Sequence, residues 1–147
     1  IRDKFMEMLR ENNILSAVGK DLEISHHYGI ENFYKTGCMM VTLFNVEYCK
    51  KIIGLFPGQE NPEHFHKIKD ESFILISGDL TLFLDGKKIE MAAGDIVHIP
   101  KCIKHSFSSK NGALFEEIST KHYSDDSFYT DEAIMKNDKR KSKIKIL

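Results

Sequence analysis

Two histidines and a glutamate near the middle of the chain are the residues best suited to chemistry. His64 and His66 stand at positions i and i+2, and Glu71 follows after four further residues. Side chains alternate between the two faces of a strand, so both imidazoles would point to the same side. A glutamate on the next strand can meet them there. Two imidazoles and a carboxylate aimed at one point form part of a metal site.

A second segment supplies a candidate fourth ligand. Residues 94–100 read Gly-Asp-Ile-Val-His-Ile-Pro, and His105 follows them. Three neutral imidazoles and one carboxylate leave coordination positions open for water or substrate, as in catalytic metal sites. The set suits Mn²⁺, Fe²⁺, Co²⁺, Ni²⁺ or Zn²⁺, and ligand type alone does not choose among them. We predict one divalent transition metal, bound by His64, His66, Glu71 and His105.

These two segments resemble the paired motifs of the cupin superfamily. Cys102 stands where the family usually has glycine, and Ser109 stands where it often has asparagine, but neither departure removes a ligand. The resemblance implies an all-β fold, a double-stranded β-helix (the jelly roll, or cupin barrel). The matching positions are Gly58, His64, His66, Glu71 and Gly78 in the first motif and Gly94, Pro100 and His105 in the second.

The predicted elements agree with such a barrel, preceded by a short N-terminal helix. Apolar residues at helical spacing predict this helix over 1–13. From residue 38 onwards, short β-forming runs alternate with turn residues such as the hairpin signal Asp85-Gly86. Many short strands with almost no helix are typical of a sandwich or barrel. The predicted strands are 38–48, 51–56, 63–66, 71–77, 80–84, 87–91, 95–99, 104–108 and 113–120.

Length and composition indicate one ordinary globular domain. The chain has 147 residues, of which 41% are hydrophobic and 29% charged. We predict an N-terminal helix and lead-in over 1–20, a cupin barrel over 21–135, and a basic C-terminal tail or edge strand over 136–147. No apolar run approaches the length of a membrane span, and no basic-then-apolar leader opens the chain, so we expect no membrane partner.

The charge of the chain is uneven. The net charge of −1 argues against generic nucleic-acid binding. Residues 136–147 hold six basic residues and one acidic residue, a local charge of +5, so the remainder carries −6. We interpret this segment as a solvated tail or as an edge strand kept soluble by its lysines. The alternating Lys/Ile run 143–146 could add as a strand to a second copy, and we predict a homodimer.

The cysteines and the remaining histidines point to structural roles. Cys38, Cys49 and Cys102 are odd in number and fit no CxxC spacing, so we expect reduced thiols in a cytoplasm, each acting as a small buried hydrophobe. Four histidines lie outside the motif spacing and are interpreted as satisfied structural residues, namely His26, His27, His98 and His122.

A pair of glutamates near the end of the barrel is a second candidate for chemistry. Glu116 and Glu117 are neighbours on the predicted strand 113–120. Alternation sends one carboxylate into the barrel and the other outwards. A carboxylate that faces a metal-lined cavity without binding the metal is well placed for proton transfer. The alternative is that both glutamates are charges on the rim.

Further stretches resemble two groups of cupins. The chain looks like D-lyxose isomerase-type cupins, and it is also similar to the C-terminal cupin domain of sialic acid (N-acetylneuraminate) synthase-like proteins. Only the second likeness extends upstream. The stretches shared with both groups are 47–51, 56–59, 62–64, 104–107, 117–119 and 126–131, and those shared with the synthase group are 2–4 and 25–29.

The resemblance therefore implies two functions. The upstream likeness, with a chain that begins at Ile1, favours a divalent-metal-binding cupin domain that handles a sugar or sugar acid within a sialic-acid-type synthase polypeptide. The alternative is an aldose–ketose isomerase with an enediolate mechanism, in which Glu117 moves a proton between C1 and C2 of the sugar. Whether the domain turns over a sugar or only binds it stays open. Nothing argues specifically for a third class, the cupin oxygenases.

Overall fold

The computed structural model describes residues 1–146, which form two antiparallel sheets, two α-helices and a short 3₁₀ helix (Ile30–Asn32). The helices are α1 (Arg2–Glu11) and α2 (Glu132–Lys136). The strands are β1 (Asp21–Ser25), β2 (Cys38–Asn45), β3 (Tyr48–Leu55), β4 (Glu60–Phe65), β5 (Glu71–Gly78), β6 (Leu80–Leu84), β7 (Lys87–Met91), β8 (Ile96–Ile99), β9 (His105–Ser108), β10 (Ala113–Thr120), β11 (Phe128–Tyr129) and β12 (Lys141–Lys145).

The two sheets pack face to face as a jelly roll, which confirms the predicted fold class. One sheet has the strand order β12-β1-β2-β3-β10-β5-β8, and the other has the order β11-β4-β9-β6-β7. Their inner faces share one apolar core at one end of the barrel, where Phe73 and Phe115 meet Phe107 of the opposite sheet. The other end of the inner space is lined by polar side chains and holds the candidate site.

Helix α1 covers part of the outer face of the seven-stranded sheet. It buries Phe5 and Leu9 against apolar side chains such as Ile52. A Cβ built at Gly54 would lie 2.6 Å from the Phe5 ring, so the absence of a side chain at this position lets the helix approach the sheet. The helix predicted over 1–13 ends at Glu11, two residues early.

The basic C-terminal segment forms the edge strand β12 rather than a free tail. It pairs with β1 alone among the described residues. Two of its lysines meet carboxylates of β1, with Lys141 Nζ 3.0 Å from Glu23 Oε1 and Lys145 Nζ 2.8 Å from Asp21 Oδ1. Asp21 faces Lys145 directly, whereas Glu23 meets Lys141 diagonally, and opposite charges on neighbouring strands stabilise their pairing.

Four elements were absent from the sequence prediction: β1, the 3₁₀ helix, the two-residue β11 and α2. Short strands carry too few residues for a clear alternation. The five-residue α2 is capped by Asp131, whose carboxylate accepts a hydrogen bond from the amide of Ala133. No helix in the described part of the chain is long and apolar enough to cross a membrane.

The prediction that all three cysteines are buried is wrong at one position. Cys38 and Cys49 are buried, whereas Cys102 is exposed, and none of the three forms a disulfide within residues 1–146. Cys102 lies in a turn with φ of 68°, a left-handed conformation that glycine adopts most readily. Its amide donates to the backbone oxygen of His66 (2.6 Å), so this turn holds the second motif against the first.

Candidate metal centre and adjoining cavity

Two strands of the five-stranded sheet bring the three motif histidines together. His64 of β4 lies directly opposite His105 of β9, and His66 follows immediately after β4. The three side chains are buried, and one potential ligand atom from each lies within 4.8 Å of those of the other two. These histidines could hold a metal ion.

Glu71 borders this cluster from the first position of β5 in the opposite sheet. Its Oε1 lies 3.0 Å from His105 Nε2 and 3.6 Å from His66 Nε2. Its Oε2 lies 3.1 Å from the Nζ atom of Lys69. The structure thus brings together all four predicted ligands, with the carboxylate nearer to two of the rings.

Backbone carbonyl oxygens orient all three imidazoles in the same way. The Nδ1 atoms of His64, His66 and His105 lie 2.9, 2.6 and 3.0 Å from the carbonyl oxygens of Pro62, Asp126 and Ile103, respectively. A carbonyl oxygen can only accept, so each Nδ1 carries the hydrogen and donates it. In the neutral ring, Nε2 then presents a lone pair, which is the form of histidine that binds metals.

The polar atoms at the centre are buried without hydrogen bonds. His105 Nε2 and both carboxylate oxygens of Glu71 have no hydrogen-bond partner among residues 1–146, although charged groups lie close by. Burial, and then the rings of His105 and His66, hold the pKa of His64 well below its ordinary value. Burial alone would raise the pKa of Glu71, but the Lys69 ammonium holds it well below the ordinary value. Neutral imidazoles beside an ionised carboxylate fit a divalent cation.

A buried aspartate shapes the loop between the histidine pair and Glu71. The carboxylate of Asp126 accepts hydrogen bonds from three consecutive backbone amides, those of residues 67–69, at 2.9 to 3.2 Å. Its backbone oxygen is the acceptor for His66. Asp126 therefore sets both the position of this loop and the orientation of one candidate ligand. The sequence gives no sign of this role, because the contacts span more than fifty residues of chain.

The two glutamates of β10 point to opposite faces of the sheet, as the alternation of side chains predicts. Glu117 is buried and lines a cavity of about 40 Å³ together with His64 and His66. Glu116 lies on the outer face of the sheet, where its Oε1 is 3.1 Å from Lys50 Nζ. Only Glu117 is therefore in a position to meet a molecule that reaches the histidines.

Two lysines that the motifs do not indicate surround Glu117. Lys69 Nζ lies 3.2 Å from Glu117 Oε2, and Lys51 Nζ lies 3.9 Å from the same oxygen. Burial lowers the pKa of Lys51, against the opposing effect of Glu117. Burial acts in the same sense on Lys69, but Glu117 and Glu71 outweigh it and raise the pKa of that ammonium.

One signal for Lys51 is present in the sequence. Lys51 stands in period-two register with Cys49 and Ile53, both of which are buried, so alternation places its side chain inside the barrel. Lys69 lies in a loop and has no such pattern. Its place at the site depends on the tertiary contacts of residues 67–69 with Asp126.

The four remaining histidines have different surroundings. His26 Nε2 bonds Ser142 Oγ (2.9 Å), and His27 Nε2 bonds Tyr129 Oη (3.0 Å). His98 Nε2 lies 2.9 Å from Asp70 on the surface. His122 differs because it lines the cavity, with Nδ1 3.2 Å from Lys51 Nζ. Burial, Lys51 and Lys69 lower the pKa of His122 to about 3, so this ring is neutral at neutral pH.

Comparison with known proteins finds one matching family model and several similar proteins. Residues 52–114 match the family model described as the cupin domain. The chain is 26% identical to the D-lyxose/D-mannose isomerase of Thermosediminibacter oceani, with 91% of each chain covered. It is 27% identical to the D-lyxose ketol-isomerase of Cohnella laeviribosi, with 88% of each covered.

A solved structure extends the likeness in fold. The L-ribose isomerase of Cellulomonas parahominis superposes with a TM-score of 0.74, covering 91% of both chains at 13% identity. Identity this low supports the fold alone. The similarity to the two D-lyxose isomerases favours the isomerase interpretation over the synthase-domain interpretation. Residues 52–114 thus match the cupin family model within a jelly-roll barrel, and the chain is similar to D-lyxose isomerases.

Proposed function

We propose that this protein is a metal-dependent aldose–ketose isomerase. The observation that carries the proposal is the position of Glu117, a buried carboxylate outside the histidine cluster that lines the same cavity as His64 and His66. The two curated relatives matched over most of their length are named as sugar isomerases, which supports the same reaction class. His64, His66, Glu71 and His105 would hold the metal, and a divalent ion bound there supplies a Lewis acid for the oxygens of the sugar.

Glu117 is the group proposed to move the carbon-bound proton. In the aldose-to-ketose direction its carboxylate takes the proton from C2, and the C–H electrons form the C1–C2 double bond of an enediolate. Glu117 then returns the proton to C1, while the hydroxyl proton of O2 is lost and O1 gains one. Both carbons must therefore lie within reach of one carboxylate oxygen.

The two lysines have separate roles in this proposal. Lys69 Nζ lies between Glu117 and Glu71, at 3.2 and 3.1 Å, so it holds Glu117 in place and offsets the charge of both carboxylates. Lys51 has the lowered pKa and is therefore the better group for passing a proton between O2 and O1. Negative charge that develops on the sugar oxygens is stabilised by these fixed cations in a site with little water.

Glu117→Gln tests the assignment because an amide keeps the shape of the side chain and removes its basicity. The metal-loaded protein is incubated with D-lyxose, D-mannose and related sugars in D₂O, and exchange at C2 is followed by NMR together with product formation. We expect Glu117→Gln to slow both by about 10²- to 10⁴-fold with metal content unchanged. Glu116→Gln is the matched control and should retain activity, since Glu116 faces outwards.

Two outcomes contradict the isomerase. One is that the two variants behave alike, and the other is that the wild type exchanges no proton with solvent. In the second case, a sugar that still binds would favour the alternative, a binding domain of a sialic-acid-type synthase. A synthase domain encoded upstream of Ile1 in the same reading frame would support that alternative independently.

A further inference from the structure

The cavity beside the histidines is too small for a whole sugar. Its volume of about 40 Å³ has room for a few water molecules. An open cleft of about 470 Å³ adjoins it, and Lys51, His122 and Lys141 line both spaces. If C1 and C2 of a sugar lie beside the histidines, as the proposed isomerase reaction requires, the other end of the sugar extends into this cleft.

The lining of the cleft is mainly basic. Three of its basic side chains come from one short segment, Arg140, Lys141 and Lys143, and Lys51 is the fourth. Glu23 and Asp138 are the carboxylates among the lining residues. Positive charge is therefore in excess here, although the whole chain has a net charge of −1.

Two of these basic groups form no ion pair with a carboxylate of residues 1–146. Glu23, which faces Lys143 in the strand register, directs its Oε1 to Lys141 Nζ (3.0 Å). No carboxylate of residues 1–146 lies within 4.0 Å of the charged nitrogens of Lys143 or Arg140. Arg140 Nη1 lies 3.2 Å from the backbone oxygen of Asn137, and its guanidinium faces the Tyr129 ring.

We propose that the natural substrate is a monosaccharide with an anionic group, a phosphate ester or a carboxylate, at the end remote from C1. Lys143 and Arg140 would bind this group in the cleft, while the histidines and Glu117 act on C1 and C2. Guanidinium and ammonium groups are the usual partners of phosphate and carboxylate. The inference rests on the proposed isomerase function and adds the class of substrate to it.

Three sugars with the same configuration at C2 test the inference directly. They are D-mannose, D-mannose 6-phosphate and D-mannuronate, which carry at C6 a hydroxymethyl group, a phosphate ester and a carboxylate, respectively. We expect kcat/KM to be at least about 10-fold higher for one or both anionic sugars than for D-mannose. Comparison of D-mannose 6-phosphate with D-mannuronate shows whether the cleft prefers a phosphate or a carboxylate.

Substitutions at Lys143 test whether the preference for an anionic sugar arises in the cleft. Lys143→Gln should lower the preference for the anionic sugar about 3- to 5-fold through KM, because this side chain is exposed, and Lys143→Glu should lower it further. Added salt should weaken the preference in the wild type. Lys87→Gln, at an exposed position on β7 of the opposite sheet, is the control and should leave the preference unchanged.

A binding measurement separates this inference from the isomerase proposal. D-Mannitol and D-mannitol 1-phosphate lack the carbonyl group and cannot be isomerised, so the difference between their affinities reports the effect of the phosphate on binding without turnover. If D-mannose is turned over but neither the phosphate nor the carboxylate raises kcat/KM above that of D-mannose, the anionic substrate is overturned and the isomerase stands. If mannitol 1-phosphate binds more tightly and Lys143→Glu removes that advantage, while no sugar is isomerised, the isomerase is overturned and the anion site stands.

Discussion

At the scale of the residue, the tautomer of each imidazole decides what the centre can bind. His64, His66 and His105 all lie with Nδ1 against a backbone carbonyl oxygen, so each Nε2 is left to accept. A protonated imidazole has no lone pair on Nε2 and cannot bind a metal. The lowered pKa of His64 keeps that ring neutral at neutral pH. The carboxylate of Glu71 is buried with Oε2 beside the Lys69 ammonium, whereas its Oε1 faces the Nε2 lone pairs of His105 and His66, an arrangement that a bound metal ion would stabilise.

We predict that the purified protein binds about one divalent metal per chain through His64, His66, Glu71 and His105. His64→Ala and His105→Ala should each weaken metal binding by about 100-fold or more, since a lost ligand costs more than a lost supporting hydrogen bond. Elemental analysis and titration of the metal-free protein measure this. His98→Ala is the control, because His98 is exposed and bonds only Asp70. Undiminished binding in both ligand variants would contradict the assignment.

At the scale of the element, one loop determines whether the ligands of two sheets can meet. Residues 67–70 connect β4, which carries His64, to β5, which begins with Glu71. This loop has its amides turned towards the carboxylate of Asp126 and places the side chain of Lys69 at the site. A change at Asp126 therefore acts on the metal centre without touching the metal.

Asp126→Ala should weaken metal affinity by about 10- to 100-fold, because the loop loses three hydrogen bonds while every ligand is retained. The neighbouring Asp125 is exposed, so Asp125→Ala is a matched control that should bind metal as the wild type does. Metal titration followed by circular dichroism at the same temperature separates a displaced loop from an unfolded chain. A folded Asp126→Ala protein with wild-type affinity would show that the loop does not position the site.

The elements also show how far sequence reasoning reaches. Local alternation correctly divided Glu116 from Glu117, because a regular strand settles which side chains share a face. It could also have placed Lys51. It could not place Lys69 or Asp126, since a loop has no period and their contacts join distant parts of the chain. The exposure of Cys102 follows from a left-handed turn, which no property of the residue itself indicates.

At the scale of the whole molecule, the charged and apolar side chains on the surface bear on where two copies would meet. The β12 edge bears Lys141, Lys143 and Lys145 at alternate positions, so antiparallel pairing with a second copy would bring like charges together. It would also crowd the cleft that Lys143 lines. The part of the outer sheet face that α1 leaves uncovered exposes Ile96 (66%) and Ile118 (42%), beside the Lys50–Glu116 ion pair.

We predict a homodimer that uses the sheet face bearing Ile96 and Ile118 rather than the β12 edge. Sedimentation at micromolar concentration should give twice the chain mass of 17.0 kDa. Ile118→Glu, on this face, should yield monomers, because a charge buried in an interface without a partner is strongly unfavourable. Ile144→Glu on the β12 edge is the matched comparison and should leave the dimer intact. Dissociation by the edge variant alone would assign the interface to β12, and a wild type that sediments only as a 17.0 kDa species would contradict dimerisation altogether.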